Sequence, residues 1–89
     1  MNVHHENGRF FIDIDGKHAK LLYREENGKM DIYHTFTPPE LRGRGIAEHL
    51  ALAAFEFAQR HGMKIIPSCP YIKDTFLKKH AELRNIVEG

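Results

Sequence analysis

One cysteine, no tryptophan and no long apolar run are the first features of this 89-residue sequence. With Cys69 alone, no internal disulfide can form, which excludes a cross-linked scaffold and fits a reducing compartment. No apolar stretch approaches the roughly 20 residues a membrane-spanning helix needs. The opening Met1-Asn2-Val3-His4-His5-Glu6 has no basic segment followed by an apolar one. The expectation is therefore a cytoplasmic protein without a membrane partner. Charge of one sign is also scarce: thirteen basic and twelve acidic residues give a formal charge of +1. That balance lacks the electrostatic footprint of a nucleic-acid binder. Besides His34, the chain has His4, His5, His18, His49, His61 and His80. None stands at zinc-ligand spacing with the lone cysteine, so no metal is expected.

What is present is an ordinary globular composition, 42% hydrophobic and 28% charged. At this length the chain is one domain over residues 1–89, with one core and room for one site. Arg9 to Ile14 alternates as a strand and ends at Asp15-Gly16, a two-residue hairpin signal. Lys17 to Glu25 reads as the second strand, with Ala19, Leu21 and Tyr23 on one face. Asn27-Gly28 is a second turn of the same kind. Lys29 to Thr37 reads as the third strand, with Met30, Ile32, His34 and Phe36 on one face. These three make an antiparallel meander, which Pro38-Pro39 ends because neither residue can donate to a ladder.

A helix follows from about Gly45 to His61, with Ile46, Leu50, Ala53, Ala54 and Phe57 at helical spacing. Glu48, Glu56, Gln59 and Arg60 form its wet side, and Gly62 stops it. Met63 to Pro67 is a short apolar run that reads as a fourth strand. Pro70 reads as the first residue of a second helix with Cys69 near its N-cap, and Leu83, Ile86 and Val87 suggest a last helical segment. The order β-β-β-α-β-α makes the third and fourth strands parallel neighbours. A slot for a ligand would open wherever they splay at the helix start.

The most informative segment is Leu41-Arg42-Gly43-Arg44-Gly45-Ile46-Ala47. Glycines let the backbone bend and approach a ligand closely. The first helical N–H groups have no intrahelical partner, and the helix dipole adds about half a positive charge there. Such an end favours phosphate, and Arg42 and Arg44 bring further donors. The reading is a pyrophosphate cradle, against the simpler alternative of a loop leading into a helix.

Arg42-Gly43-Arg44-Gly45-Ile46-Ala47 resembles the Q/R-x-x-G-x-G/A signature of the GCN5-related N-acetyltransferases, following a strand and opening a helix as it does there. With His34-Thr35, Pro38 to Ala47, and Pro67-Ser68-Cys69-Pro70-Tyr71, the chain is similar to a compact acetyl-CoA-binding subgroup of that family over residues 8 to 85. Thr37, in place of an aliphatic residue, and Ala81, in place of a proline, depart from its pattern. The resemblance implies an α/β (α+β) fold of truncated GNAT-like type: a β-meander followed by α-β-α, with the third and fourth strands splayed around the cofactor. It implies acetyl-CoA, or CoA, with its pyrophosphate on the backbone of Arg42, Gly43, Arg44, Gly45, Ile46 and Ala47. The pantetheine would lie along Thr35, Phe36 and Thr37, and the thioester would point towards Cys69 and Tyr71. The helices that a full-length family member places between its first two strands are missing, because Asp15-Gly16 joins those strands directly.

Three side chains are candidates for chemistry. Cys69, at a helix start, could be a nucleophile or form a mixed disulfide with CoA; it could equally be a small buried residue. Tyr71 could protonate the departing thiolate or be a half-buried aromatic. His34 could be a general base for an amine or a hydrogen-bonded imidazole facing the core. Lys78 or Lys79 could meet the 3′-phosphate of CoA. The expected function is acetyl transfer from acetyl-CoA to an amine, of a small molecule or a protein. The alternative is a non-catalytic acyl-CoA-binding module, a sensor or partner subunit, favoured by the missing acceptor helices and by the lack of an evident carboxylate base.

Overall fold

The computed structural model describes residues 2–88. Five strands form one sheet in chain order: β1 (His4–Glu6), β2 (Arg9–Ile14), β3 (Lys17–Glu26), β4 (Lys29–Phe36) and β5 (Lys64–Pro67). The first four are antiparallel, and β5 runs parallel to β4 after the crossover helix α1 (Ile46–Arg60). The expected meander is present, extended by β1 at its edge. The two expected hairpins turn where the sequence asks for positive φ: Asp15 and Gly16 at 51° and 74°, Asn27 and Gly28 at 52° and 75°. These are the left-handed pairs that match the twist of the flanking strands.

One face of the sheet carries the core. Phe10, Ile12, Ala19, Leu21, Tyr23, Met30, Ile32 and Ile65 pack there with Ile46, Leu50, Ala51, Ala54, Phe55 and Ala58 of α1. The buried stripe of α1 is thus rotated from the expected one: Ala51, Phe55 and Ala58 are buried, whereas Phe57 is half-buried. The reason is a second layer over the helix. Phe76 packs on Phe55, ring centroids 5.1 Å apart, so α1 is covered by the C-terminal segment as well as by the sheet.

That segment is not the plain helix the sequence suggested. Pro70 is its first helical residue, as expected, with the Cys69 carbonyl accepting from the Lys73 N–H at 3.0 Å, but Tyr71–Phe76 winds as a π-helix, with the Leu77 N–H donating to the carbonyl of Ile72. It tightens into one short α turn, α2 (Leu77–Lys79), and then into a 3-10 helix over Ala81–Ile86. Val87 bridges to Ile65, and the Glu88 N–H donates to the Ile65 carbonyl at 2.8 Å, so the chain end covers the free edge of β5. No helix among the described residues is long and apolar enough to cross a membrane.

The strand that matters most for the site is β4. Its pairing with β3 shifts register between Leu22 and Tyr23: Tyr23 faces Ile32, but Leu22 faces His34. Tyr33 is the extra residue of a β-bulge, which flips the side-chain alternation. Met30 and Ile32 are buried, but beyond the bulge Thr35 takes the core face opposite Leu21, while His34 and Phe36 point to the other face and are exposed. The expectation that Met30, Ile32, His34 and Phe36 share one face fails here.

Candidate functional site

β4 and β5 pair only from Lys29–Lys64 to Ile32–Pro67. The Cys69 N–H closes this ladder on the Ile32 carbonyl at 2.8 Å, and past it the two chains diverge. From Tyr33 to Phe36 the edge of β4 that faces away from β3 has no strand beside it among the described residues. At the open end of this splay sits a pocket of about 200 Å³, lined by Thr37, Leu41, Arg42, Gly43, Gly45, Ile46, Ala47, Glu48 and Tyr71.

The turn between β4 and α1 is built for close approach. Pro38 and Leu41 are buried and anchor a 3-10 turn over Pro39–Leu41. The Arg42 N–H donates to the Pro39 carbonyl at 3.3 Å, and Arg42 Nε donates to the Thr37 carbonyl at 3.1 Å. Arg42 therefore ties the turn to the end of β4. Gly43 and Gly45 follow in left-handed conformations, φ 83° and 74°, and a Cβ added to either would meet nothing within 4 Å. No neighbour demands these glycines; backbone conformation does, and they leave open space in front of the main chain. Gly45 is the N-cap of α1 and supplies no side-chain cap. The first α-helical bond runs from His49 to Gly45 at 3.0 Å, so the N–H groups of Ile46, Ala47 and Glu48 precede it without intrahelical acceptors. An anion is the ligand this geometry suits.

Tyr71 brings its half-buried phenol to the same pocket. Burial pushes its pKa up, and the charge of Glu48 adds to the rise, so the O–H keeps its proton through neutral pH. Glu48 is the residue that sequence reasoning left on the wet side of the helix. It lines the pocket, accepts from Lys79 Nζ at 3.3 Å and pairs with His80 Nε2 at 2.5 Å. Its pKa is lowered, first by the bond to His80 and then by Lys79. A carboxylate thus does stand at the site.

Cys69 is 4% exposed and lies at the closed end of the splay, its Sγ 3.5 Å from Thr35 Oγ1. It adjoins the site without lining the pocket. His34 stands apart, on the sheet face opposite the core. Thr35 is half-buried and Thr37 lines the pocket, whereas Phe36 is 42% exposed on the outer face. Arg44 is exposed on the turn. No group of three His, Cys, Asp or Glu among the described residues could hold a metal ion.

A glycine turn thus opens a helix beside two splayed parallel strands, with a tyrosine at the pocket wall. Residues 9–86 match the family described as GCN5-related N-acetyl-transferase, and the chain belongs to that family. It is 42% identical to Protein NATD1 of Mus musculus over 79 residues, spanning 82% of this chain and 71% of that one. With Protein NATD1 of Danio rerio the identity is 39% over 85 residues, 90% of this chain and 76% of that one. The NMR solution structure of a GCN5-like protein from Staphylococcus aureus matches with a TM-score of 0.78 at 29% identity, covering 99% of this chain and 88% of that one.

Proposed function

We propose that the protein binds acetyl-CoA at the Gly43–Ala47 turn and transfers the acetyl group to an amine. One observation carries the reading. Gly43 and Gly45 hold left-handed conformations with open space where side chains would stand, directly before the unpartnered N–H groups of α1. A pyrophosphate fits that arrangement by both hydrogen bonding and helix dipole. The free edge of β4 from Tyr33 to Phe36 offers backbone partners to an amide-bearing arm such as pantetheine. Acetyl-CoA supplies an activated thioester. The chain supplies position, and Tyr71 a proton held at its phenol for the leaving thiolate.

A second reading, an acyl-CoA-binding module without turnover, is favoured by the direct Asp15-Gly16 junction of β2 and β3, which leaves no helix in that connection to wall an acceptor pocket. Calorimetry with acetyl-CoA on the native chain and on Gly45→Glu, followed by an acetyl-transfer assay over small amines and lysine peptides, separates the readings. Saturable binding lost in the variant, together with acetylated product, is the result expected. Binding without product from any amine leaves the module; absence of binding to the folded native chain sinks both.

A further inference from the structure

The sheet has a second face. α1 and the layer over it cover the core face, and the direct Asp15-Gly16 junction puts no helix on the other. None of the outward residues of β2, β3, β4 and β5 among those described is buried. Towards the β1 edge this face satisfies itself: Arg9 stands over Phe11 at 4.4 Å and pairs with Glu6 at 3.0 Å, and Asp13 pairs with His18. Asp31 accepts from the Ser68 hydroxyl at 2.6 Å. The half beside the splay differs. Two of the three exposed large hydrophobics among the described residues, Tyr33 and Phe36, stand there. Lys20 faces Phe36 across the β3–β4 ladder, and the Arg24 guanidinium lies over the Tyr33 ring at 4.4 Å. Among the described residues neither of these two cations pairs with a carboxylate.

We infer that this half of the open face docks the acceptor as an extended acidic polypeptide segment and brings an amine of that segment to the splay. The inference rests on the acetyl-CoA reading above and names the class of its acceptor. Charge sets the sign of the partner. Glu6, Asp13 and Asp31 are bonded within the fold, whereas Lys20 and Arg24 are free, so an acidic chain is the complement. The rings of Tyr33 and Phe36 beside those charges give apolar surface for the partner to cover. Spacing selects a chain over a small amine. Four residues of β3 separate Lys20 from Arg24, about 13 Å at the rise of a strand. A small amine reaches one of them; an extended segment reaches both. Tyr33 to Phe36 is also the stretch of β4 whose edge borders the splay, so an amine carried across these rings meets the thioester from the open side. Transfer there forms the amide C–N bond and breaks the thioester C–S bond. The thiolate takes the Tyr71 proton, and the proton that the amine loses restores it.

The test uses the full chain, acetyl-CoA and short peptides that share a free N-terminus and one central lysine but differ in acidic, neutral or basic flanks. Acetylated peptide is read by mass spectrometry as kcat/KM, at low and at high salt. Acidic flanks are expected to raise kcat/KM about fivefold over neutral ones, as two exposed ion pairs would, and basic flanks to lower it. High salt should remove most of the difference. Lys20→Glu combined with Arg24→Glu should reverse the order and favour basic flanks, a gain that misfolding cannot produce. Thermal melts and acetyl-CoA calorimetry of the double variant report its folding and its cofactor site separately. Equal rates for the three flanks, an order that the double variant keeps, or product from small amines alone overturns the inference while leaving the acetyl-CoA reading intact. A single-stranded oligonucleotide bound by the native chain and released by the double variant, or a dimer in sedimentation that the double variant dissociates, gives the face another occupant and also overturns it. Acetyl-CoA binding without product from any amine overturns the inference and leaves the binding module. Absence of acetyl-CoA binding by the folded native chain overturns both.

Discussion

Thr35 Oγ1 and Cys69 Sγ lie 3.5 Å apart across the point where β4 leaves β5. Thr35 reaches the core face only because the bulge at Tyr33 flips the alternation of β4. The thiol is thereby enclosed, with a neutral hydroxyl as its polar neighbour and the core behind it. A nucleophilic cysteine needs access and electropositive surroundings, and this one lies among apolar side chains. Cys69→Ala is therefore expected to keep acetyl transfer within a few fold, at a stability cost of about 1 kcal/mol from lost packing. Rates measured beside denaturant midpoints check this. Loss of transfer by a folded variant that still binds CoA would restore a covalent route through Cys69.

Tyr71 is the side chain on which turnover should depend. Its phenol lines the pocket and holds its proton because burial and Glu48 both push its pKa up. Tyr71→Phe keeps the ring and removes the O–H. The expected effect is a fall in kcat of about a hundredfold, with CoA affinity changed less than threefold. The alkaline limb of the kcat profile, if Tyr71 sets it, should vanish in the variant. A Phe variant of unchanged kcat would assign the proton to another donor.

The glycine turn separates conformational strain from ligand exclusion. At Gly45 an alanine Cβ would meet nothing within 4 Å, so its cost comes from φ 74° alone, about 1–2 kcal/mol. Gly45→Ala is expected to melt lower yet bind CoA measurably. Gly45→Glu carries the same backbone strain and adds a carboxylate beside the pyrophosphate. It should lose binding by a far larger factor at a similar melting temperature. Equal binding losses in the two variants would trace the effect to the backbone.

These positions also mark how far the sequence could be read. The hairpins and the start of α1 were legible because a left-handed backbone has few acceptable residues, and Asp15-Gly16, Asn27-Gly28 and Gly45 are among them. The bulge at Tyr33 was not legible: no glycine announces it, and the pattern before it continues unbroken through His34 and Phe36. β1 was missed because His4-His5-Glu6 has no apolar alternation; its pairing with β2 and the stacking of His5 on Phe10 hold it in place. Glu48 looked solvent-facing because its partner His80 lies 32 positions away in the chain. Phe55 lay outside the apolar stripe read off the sequence because the layer that buries it, at Phe76, folds back from beyond β5. Phe55→Ala should cost about 3–5 kcal/mol, read from denaturant midpoints, since it uncouples that layer and leaves a ring-sized void.

The opposite end of α1 yields a prediction about pH. His5 Nε2 lies 2.6 Å from the Tyr23 hydroxyl, its ring stacks on Phe10 at 4.0 Å and meets the edge of Phe57 at 4.6 Å. Burial lowers its pKa below the ordinary histidine value, and the nearby His61 lowers it further. A histidine with a lowered folded pKa binds more protons unfolded than folded between its two pKa values. Its contribution to stability is thus complete above the unfolded value, about 6.5, and is lost as pH falls from there through the folded value. Melting temperature should decline on acidification across that window, and His5→Gln should show a shallower decline from a lower plateau. The slope belongs to the β1 edge and not to the pocket, so CoA affinity of the folded variant at neutral pH should match the native chain. An unchanged acid slope in His5→Gln would overturn the assignment of the slope to His5.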